Sequence, residues 1–313
     1  MRVSVRTTSE VTLVTVRDDE YTHSDAQFRE LWELLVESYA LTRRPHNWFF
    51  ARLENWRYAS PDKPVSFFTG NVHQWRNEAS ELVGFCISEY GDKGIHLQIH
   101  PDYRFVEADM LSWIEGTWGR GKEYVETYAG LADTERQELL TQSGYQDLGD
   151  NGHMWVYDLS SPYPVVDLPP GFRIQTMADN GDKRARIAVE SKTFDSAALN
   201  QEWFDGKSSA PSYSRDLDFS LVSPGGEHVA FCVAWIDPRN QVAEVDPVGT
   251  HPDYRRRGFA KAVVSECFRR LCARNVRYAY IGSGPEPYVS NRLYESLQPV
   301  ETYQENRWVK HLH

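Results

Sequence analysis

Cysteine is scarce in this chain, with four in 313 residues. Cys86, Cys232, Cys267 and Cys272 all lie inside apolar strand-like or helix-like runs. None has metal-ligand or redox-motif spacing, so a disulfide framework, a zinc site and a dithiol centre are set aside and buried, reduced thiols are expected. Long apolar runs are missing as well. The opening residues hold no stretch fit for a signal peptide, and no later segment approaches the roughly 20 apolar residues that span a bilayer. The expectation is a soluble, cytoplasmic protein with no membrane partner and no metal. A surplus of basic residues is also lacking. The formal net charge is −11, and residues 1 to 160 carry 15 Lys+Arg against 26 Asp+Glu, whereas residues 161 to 313 carry 19 of each. An acidic half disfavours nucleic acid as a partner. It suits a cationic substrate such as an amine, although a solubilising surface accounts for the same excess.

What is present is a duplicated pattern. A chain of 313 residues exceeds what one core usually organises, which predicts two domains. The pentamer HPDYR occurs at residues 100–104 and again at 251–255. Upstream, Gly84-Phe85-Cys86-Ile87 echoes Ala230-Phe231-Cys232-Val233; downstream, Leu140 to Ser143 falls opposite Leu293 to Ser296, and Trp155-Val156 opposite Trp308-Val309. A period near 150 residues is far too long for a solenoid repeat, so each copy reads as a complete domain. The Pro-rich stretch from Ser160 to Gly171 marks a linker. The division expected is residues 1–160, a linker at 161–170, and residues 171–313.

In the second copy, Arg184 to Phe194 reads as a helix, and Phe219 to Val222, Val229 to Ile236 and Val242 to Val248 as strands. From Phe259 to Ala273 the apolar positions Phe259, Ala262, Val263, Cys267 and Leu271 recur at helical spacing. A strand at Arg277 to Ile281, a helix at Tyr288 to Leu297 and a last strand containing Trp308 and Val309 complete a mixed α/β sheet.

The stretch Val242 to Ala260 carries the chemistry. The first turn of a helix presents amides with no intrahelical partner, and with the helix dipole they form a site for a diphosphate. Gly258 has no Cβ to hold phosphate oxygens away, Ala260 is small, and Arg255, Arg256 and Arg257 offer charge-assisted bonds. Arg255, Gly258 and Ala260 match the pattern Gln or Arg, two residues, Gly, one residue, Gly or Ala. This segment therefore resembles the acyl-CoA loop of the GNAT superfamily of N-acyltransferases. A solvated basic face is the plainer account of the three arginines, but this half has no net positive charge. Ser290 to Leu297 resembles the family's helix bearing the tyrosine beside the thioester sulfur, which carries that role onto Tyr294; a core tyrosine is the other account. Here Pro287 stands where many members have Asn, and Gln298-Pro299 replaces the usual Gly-Phe.

The resemblance implies acetyl-CoA as cosubstrate and two tandem domains, each with a mixed, mostly antiparallel sheet flanked by helices. In architecture the chain is similar to the tandem members of the superfamily, such as mycothiol synthase. Cofactor contacts are expected from Val248, Gly249, Thr250, Arg255, Arg256, Arg257, Gly258, Phe259, Ala260 and Lys261, and from Asn291. Backbone N–H groups at Val248 to Thr250 are expected to polarise the thioester carbonyl. An ammonium nucleophile must lose a proton; Glu244, eleven residues before Arg255, is the candidate base, with Asp246 on the same sheet face or a water chain as alternatives. The first copy has Phe105-Val106-Glu107-Ala108-Asp109 after its pentamer and Thr141 opposite Tyr294. It is not expected to bind CoA. The expected acceptor is a small-molecule or peptide amine, in a monomer or homodimer, and a non-catalytic acyl-CoA-binding or scaffolding protein is the alternative.

Overall fold

The computed structural model describes the backbone of residues 2–7, 10–179 and 181–312, and side chains from Thr15 onward within those ranges. The chain divides into two compact units: Met1–Leu53, Asp62–Asn151 and Gln304–His313 form the first, and Glu54–Pro61 and Gly152–Tyr303 the second. Each takes in a segment from the far part of the sequence. Both are mixed α/β structures. Among the described residues no helix is long and apolar enough to cross a membrane.

The first unit begins with β1 (Arg2–Thr7), β2 (Glu10–Glu20), α1 (Asp25–Thr42), the start of α2 (Phe50–Tyr58), whose residues from Glu54 belong to the second unit, and α3 (Val65–Gly70). It continues with β3 (Val72–Asn77), β4 (Leu82–Ile87), β5 (His96–Ile99), α4 (Glu107–Gly116), β6 (Tyr124–Gly130), α5 (Thr134–Gln142) and the start of β7 (Gln146–Asp158). Strands β1 to β5 pair antiparallel in sequence order. Strand β6 meets the β5 side in parallel through Gly94 and Glu126. Its core gathers Val83, Cys86, Leu97 and Ile99 from the sheet against Met110, Leu111 and Ile114 of α4.

The second unit contains β8 (Arg173–Thr176), α6 (Lys183–Phe194), α7 (Gln201–Ser208), β9 (Asp218–Val222), β10 (His228–Asp237), β11 (Val242–Thr250), α8 (Phe259–Cys272), β12 (Tyr278–Ser283) and α9 (Asn291–Ser296). The last strand, β13 (Glu301–His311), passes into the first unit, where it pairs antiparallel with β6 from Glu305 to His311. Strands β8 to β11 are antiparallel neighbours, β12 joins β11 in parallel, and the end of β7 pairs antiparallel with β12.

Alternation along β10 sends Ala230, Cys232 and Ala234 into the core that contains Phe259, Val263, Cys267 and Leu271 of α8. Phe231 points to the other face, where the Arg186 guanidinium of α6 lies 4.2 Å from its ring. The two helices therefore cover opposite faces. Arg186 is fully buried, donating to Asp218 on β9 and Glu190 on α6, each at 2.6 Å. Lys207 of α7 also reaches Glu190, at 3.3 Å, so charge pairing fixes both helices to the sheet.

The strands and helices of the second copy appear close to the bounds read from the sequence. Helix α9 is shorter than the Tyr288 to Leu297 expected. Residues before Asn291 form a loop that its side-chain amide holds, donating to Glu286 at 2.6 Å and to the Gly284 carbonyl at 3.3 Å.

Candidate active site

Strand β11 supplies the centre of the site. It pairs with β10 as far as Val245 opposite Ala234; the register then shifts, and Cys232 is next opposite Val248. Asp246 and Pro247 together oppose Val233, a β-bulge secured by the Trp235 indole donating to the Asp246 carbonyl at 2.8 Å. The bulge interrupts the alternation that would place Glu244 and Asp246 on one face. Glu244 is buried on the α6 face, in register with Trp235 and Tyr280, whereas Asp246 is exposed.

On its other edge β11 pairs with β12 only from Val242–Tyr278 to Glu244–Tyr280, although β11 runs to Thr250 and β12 to Ser283. Beyond Glu244 the parallel strands part. Among the described residues, the edge that carries Val248, Gly249 and Thr250 thus has no partner strand on that side, which is what an extended ligand arm with amide groups can use. Gly249 answers a packing need: a Cβ there would come within 2.4 Å of the Phe231 ring and 2.8 Å of the Thr193 methyl.

The turn after β11 begins as in the first copy. His251 and His100 each accept an N–H through Nδ1 at 3.2 Å, from Asp253 and Asp102 respectively, and each donates its backbone N–H at 2.9 Å to the neighbouring strand, to the Val229 carbonyl on β10 and the Val83 carbonyl on β4. Both act as scaffold. The copies then diverge. In the second unit Arg256 and Gly258 take positive φ, +62° and +79°, and Gly258 caps α8 without a side-chain bond. The first bond of α8 runs from Ala262 to the Gly258 carbonyl at 3.0 Å, which leaves the amides of Phe259, Ala260 and Lys261 ahead of it without intrahelical acceptors. A Cβ on Gly258 would meet nothing within 4 Å, so glycine is required for its φ and the ground before the amides is open. In the first unit the turn runs straight into α4. Glu107 has φ −58° and donates its N–H to the Arg104 carbonyl, and its carboxylate is buried against Arg104 and Arg136. The chain satisfies there what the second copy leaves open.

The cations near the cradle differ in their engagements. Arg255, Arg256 and Arg257 are all exposed, with Arg257 5.1 Å from the Tyr254 ring. Arg255 bonds two carbonyls, Thr250 and Thr193. Lys261 donates to the Ser296 carbonyl of α9 at 2.9 Å, and Phe259 is buried, so it can offer a ligand only its backbone. Asn291 is a loop clamp. The sequence showed these residue types, but not which carbonyls they reach.

Tyr294 is buried on α9, close to the ring of Trp155, whose indole donates to Ser283 at 2.8 Å. Burial first, then the Asp246 carboxylate, pushes the Tyr294 phenol well above its ordinary value, and it stays protonated at working pH.

A mixed sheet whose two parallel strands part beside a glycine-opened helix N-terminus makes an α/β domain with room for an extended arm and donors for an anion. Residues 186–298 match the model of the acetyltransferase (GNAT) family, which gives the second unit a GNAT acetyltransferase domain. The fold agrees with a tandem GNAT protein from the clavulanic acid biosynthesis pathway, with a TM-score of 0.68 and 12% identity over 95% of this chain and 98% of that one. Two mycothiol acetyltransferases are similar in sequence. The protein from Saccharomonospora viridis is 24% identical over 77% of this chain and 86% of its own length. The one from Paenarthrobacter aurescens is 21% identical over 70% and 71%. Acyl transfer is therefore the activity class, and acetyl-CoA is the cosubstrate the family uses.

Proposed function

We propose that the chain is an acetyl-CoA-dependent N-acetyltransferase in which a primary amine attacks the thioester directly within a ternary complex at the second unit. The observation that carries this reading is the cradle of open amides at Gly258 to Lys261, beside strands that part beyond Glu244. The residues present fit a diphosphate there: donors without acceptors, a glycine with open ground before it, and exposed Arg256 and Arg257, whose side chains bond no carbonyl among the described residues as Arg255 does. Backbone N–H groups at Val248 to Thr250 polarise the thioester carbonyl. Glu244, directly or through a water, takes the proton that the ammonium must lose. The amine nitrogen then bonds to the carbonyl carbon, the carbon–sulfur bond breaks, and the Tyr294 phenol gives its proton to the departing thiolate. A covalent route through cysteine has little support. Cys232 is fully buried, its thiol donates to the Val263 carbonyl at 3.7 Å, and burial pushes its pKa far up.

The first unit, whose turn is satisfied by its own chain, leaves CoA binding to the second. The acceptor is a small-molecule or peptide amine.

Acetylation of members of an amine panel, with release of CoA thiol, is the expected result. Tight CoA binding without thiol release would establish a non-catalytic binder in its place. Gly258→Glu should abolish CoA binding in titration calorimetry, since it adds a like charge at the cradle and strains φ. Unchanged affinity would remove the site assignment.

A further inference from the structure

The pattern that Arg255 satisfies sends it to phosphate, yet its guanidinium is engaged elsewhere. Nε donates to the Thr250 carbonyl at 3.3 Å and Nη2 to the Thr193 carbonyl at 3.1 Å. Thr250 ends β11 and Thr193 lies in the last turn of α6. A planar fork with donors on separate nitrogens can span carbonyls of two elements, and a cation is favoured at the negative end of a helix. A second contact joins the same elements, because the bare Cα of Gly249 admits the Thr193 methyl and the Phe231 ring.

The internal repeat supplies a control. Arg104 occupies the same place in the first HPDYR, where the turn runs into α4 and offers no cradle. It too is engaged by its own chain, donating to Asp133 at 2.8 Å and pairing with Glu107. Arg256 and Arg257 have no counterpart in the first copy, where Phe105 and Val106 follow the pentamer. The arginine common to both copies serves the scaffold in both.

We propose that Arg255 is a positioning residue that couples the cofactor turn to α6. Helix α6 covers the sheet face that holds Glu244, so donor binding at the turn orders the acceptor side, while Arg256 and Arg257 face the diphosphate. This rests on the reading of the Gly258 turn as the CoA site.

The test uses the full chain with CoA as the probe. In calorimetry across a salt series, Arg257→Ala should weaken binding and flatten its salt dependence. Arg255→Ala should keep that dependence and hold Kd within about threefold, under 1 kcal/mol. In hydrogen exchange, CoA should slow the amides of the last α6 turn in the unaltered chain and lose that effect in Arg255→Ala. Arg255→Lys keeps the charge without the fork and should behave as Ala does. Gly249→Ala, which pushes α6 away with Arg255 intact, should uncouple as well and serves if Arg255→Ala does not fold. A flattened salt dependence in Arg255→Ala restored by Lys, or CoA-dependent protection of α6 that survives Arg255→Ala, overturns the proposal. Absence of CoA binding to the unaltered chain overturns both the proposal and the site reading beneath it.

Discussion

Tyr294 shows what a single residue contributes here. Its phenol is held protonated by burial and by Asp246, which suits one act, delivery of a proton to a leaving sulfur. Tyr294→Phe is expected to lower kcat on the order of 100-fold or more while CoA affinity by calorimetry stays nearly unchanged. Because the phenol lies above its ordinary value, kcat should show no alkaline fall from this group below about pH 10. Normal turnover in the Phe variant would take Tyr294 out of the mechanism. The positions of Gly258 and Tyr294 were legible: one has positive φ at a helix start, and the other lies on the following helix. The engagements of Arg255, Lys261 and Asn291 were not legible. A long side chain beside a turn can reach several carbonyls, and the fold alone decides which one it meets.

At the scale of elements, periodicity carried most of the second unit. The apolar stripe from Phe259 to Leu271 became α8 and the run from Val242 became β11. The bulge at Asp246-Pro247 escaped, since alternation in one strand contains no register against its neighbour. Helix α7 escaped as well: its eight residues, QEWFDGKS, are largely polar with an interior glycine. Tertiary contacts hold it instead. A Cβ on Gly206 would lie 2.1 Å from the Tyr58 carbonyl, so the end of α2 rests directly on α7. Nearby, buried Glu54 accepts the Ser212 hydroxyl at 2.7 Å and the Ser212 N–H at 3.1 Å. Glu54→Ala removes a charged acceptor from two donors and should cost about 2 kcal/mol in urea unfolding. A loss below about 0.5 kcal/mol would show that residues 54–61 matter little to the second unit.

For the whole molecule, buried imidazoles set the acid limit. Burial, helped by Arg136 and Arg104, lowers His46 to about 4, and burial also holds His73, His96 and His228 below the ordinary value. The unfolded chain then binds more protons than the folded one below about pH 6.5, so stability falls as pH drops from there through the folded-state values. Glu305, raised by burial, acts in the opposite sense. The melting temperature should be lower at pH 5 than at pH 7, and His46→Gln should narrow that difference in a thermal-shift series. The duplication itself was legible in the repeated pentamer, whereas the exchange of segments between units was not, because no local pattern names a partner seven strands away. That exchange has a consequence for synthesis. The first unit owns residues Gln304–His313, whose strand closes against β6. The half translated first therefore cannot complete its sheet until Glu305–His311 have been synthesised and have left the ribosome.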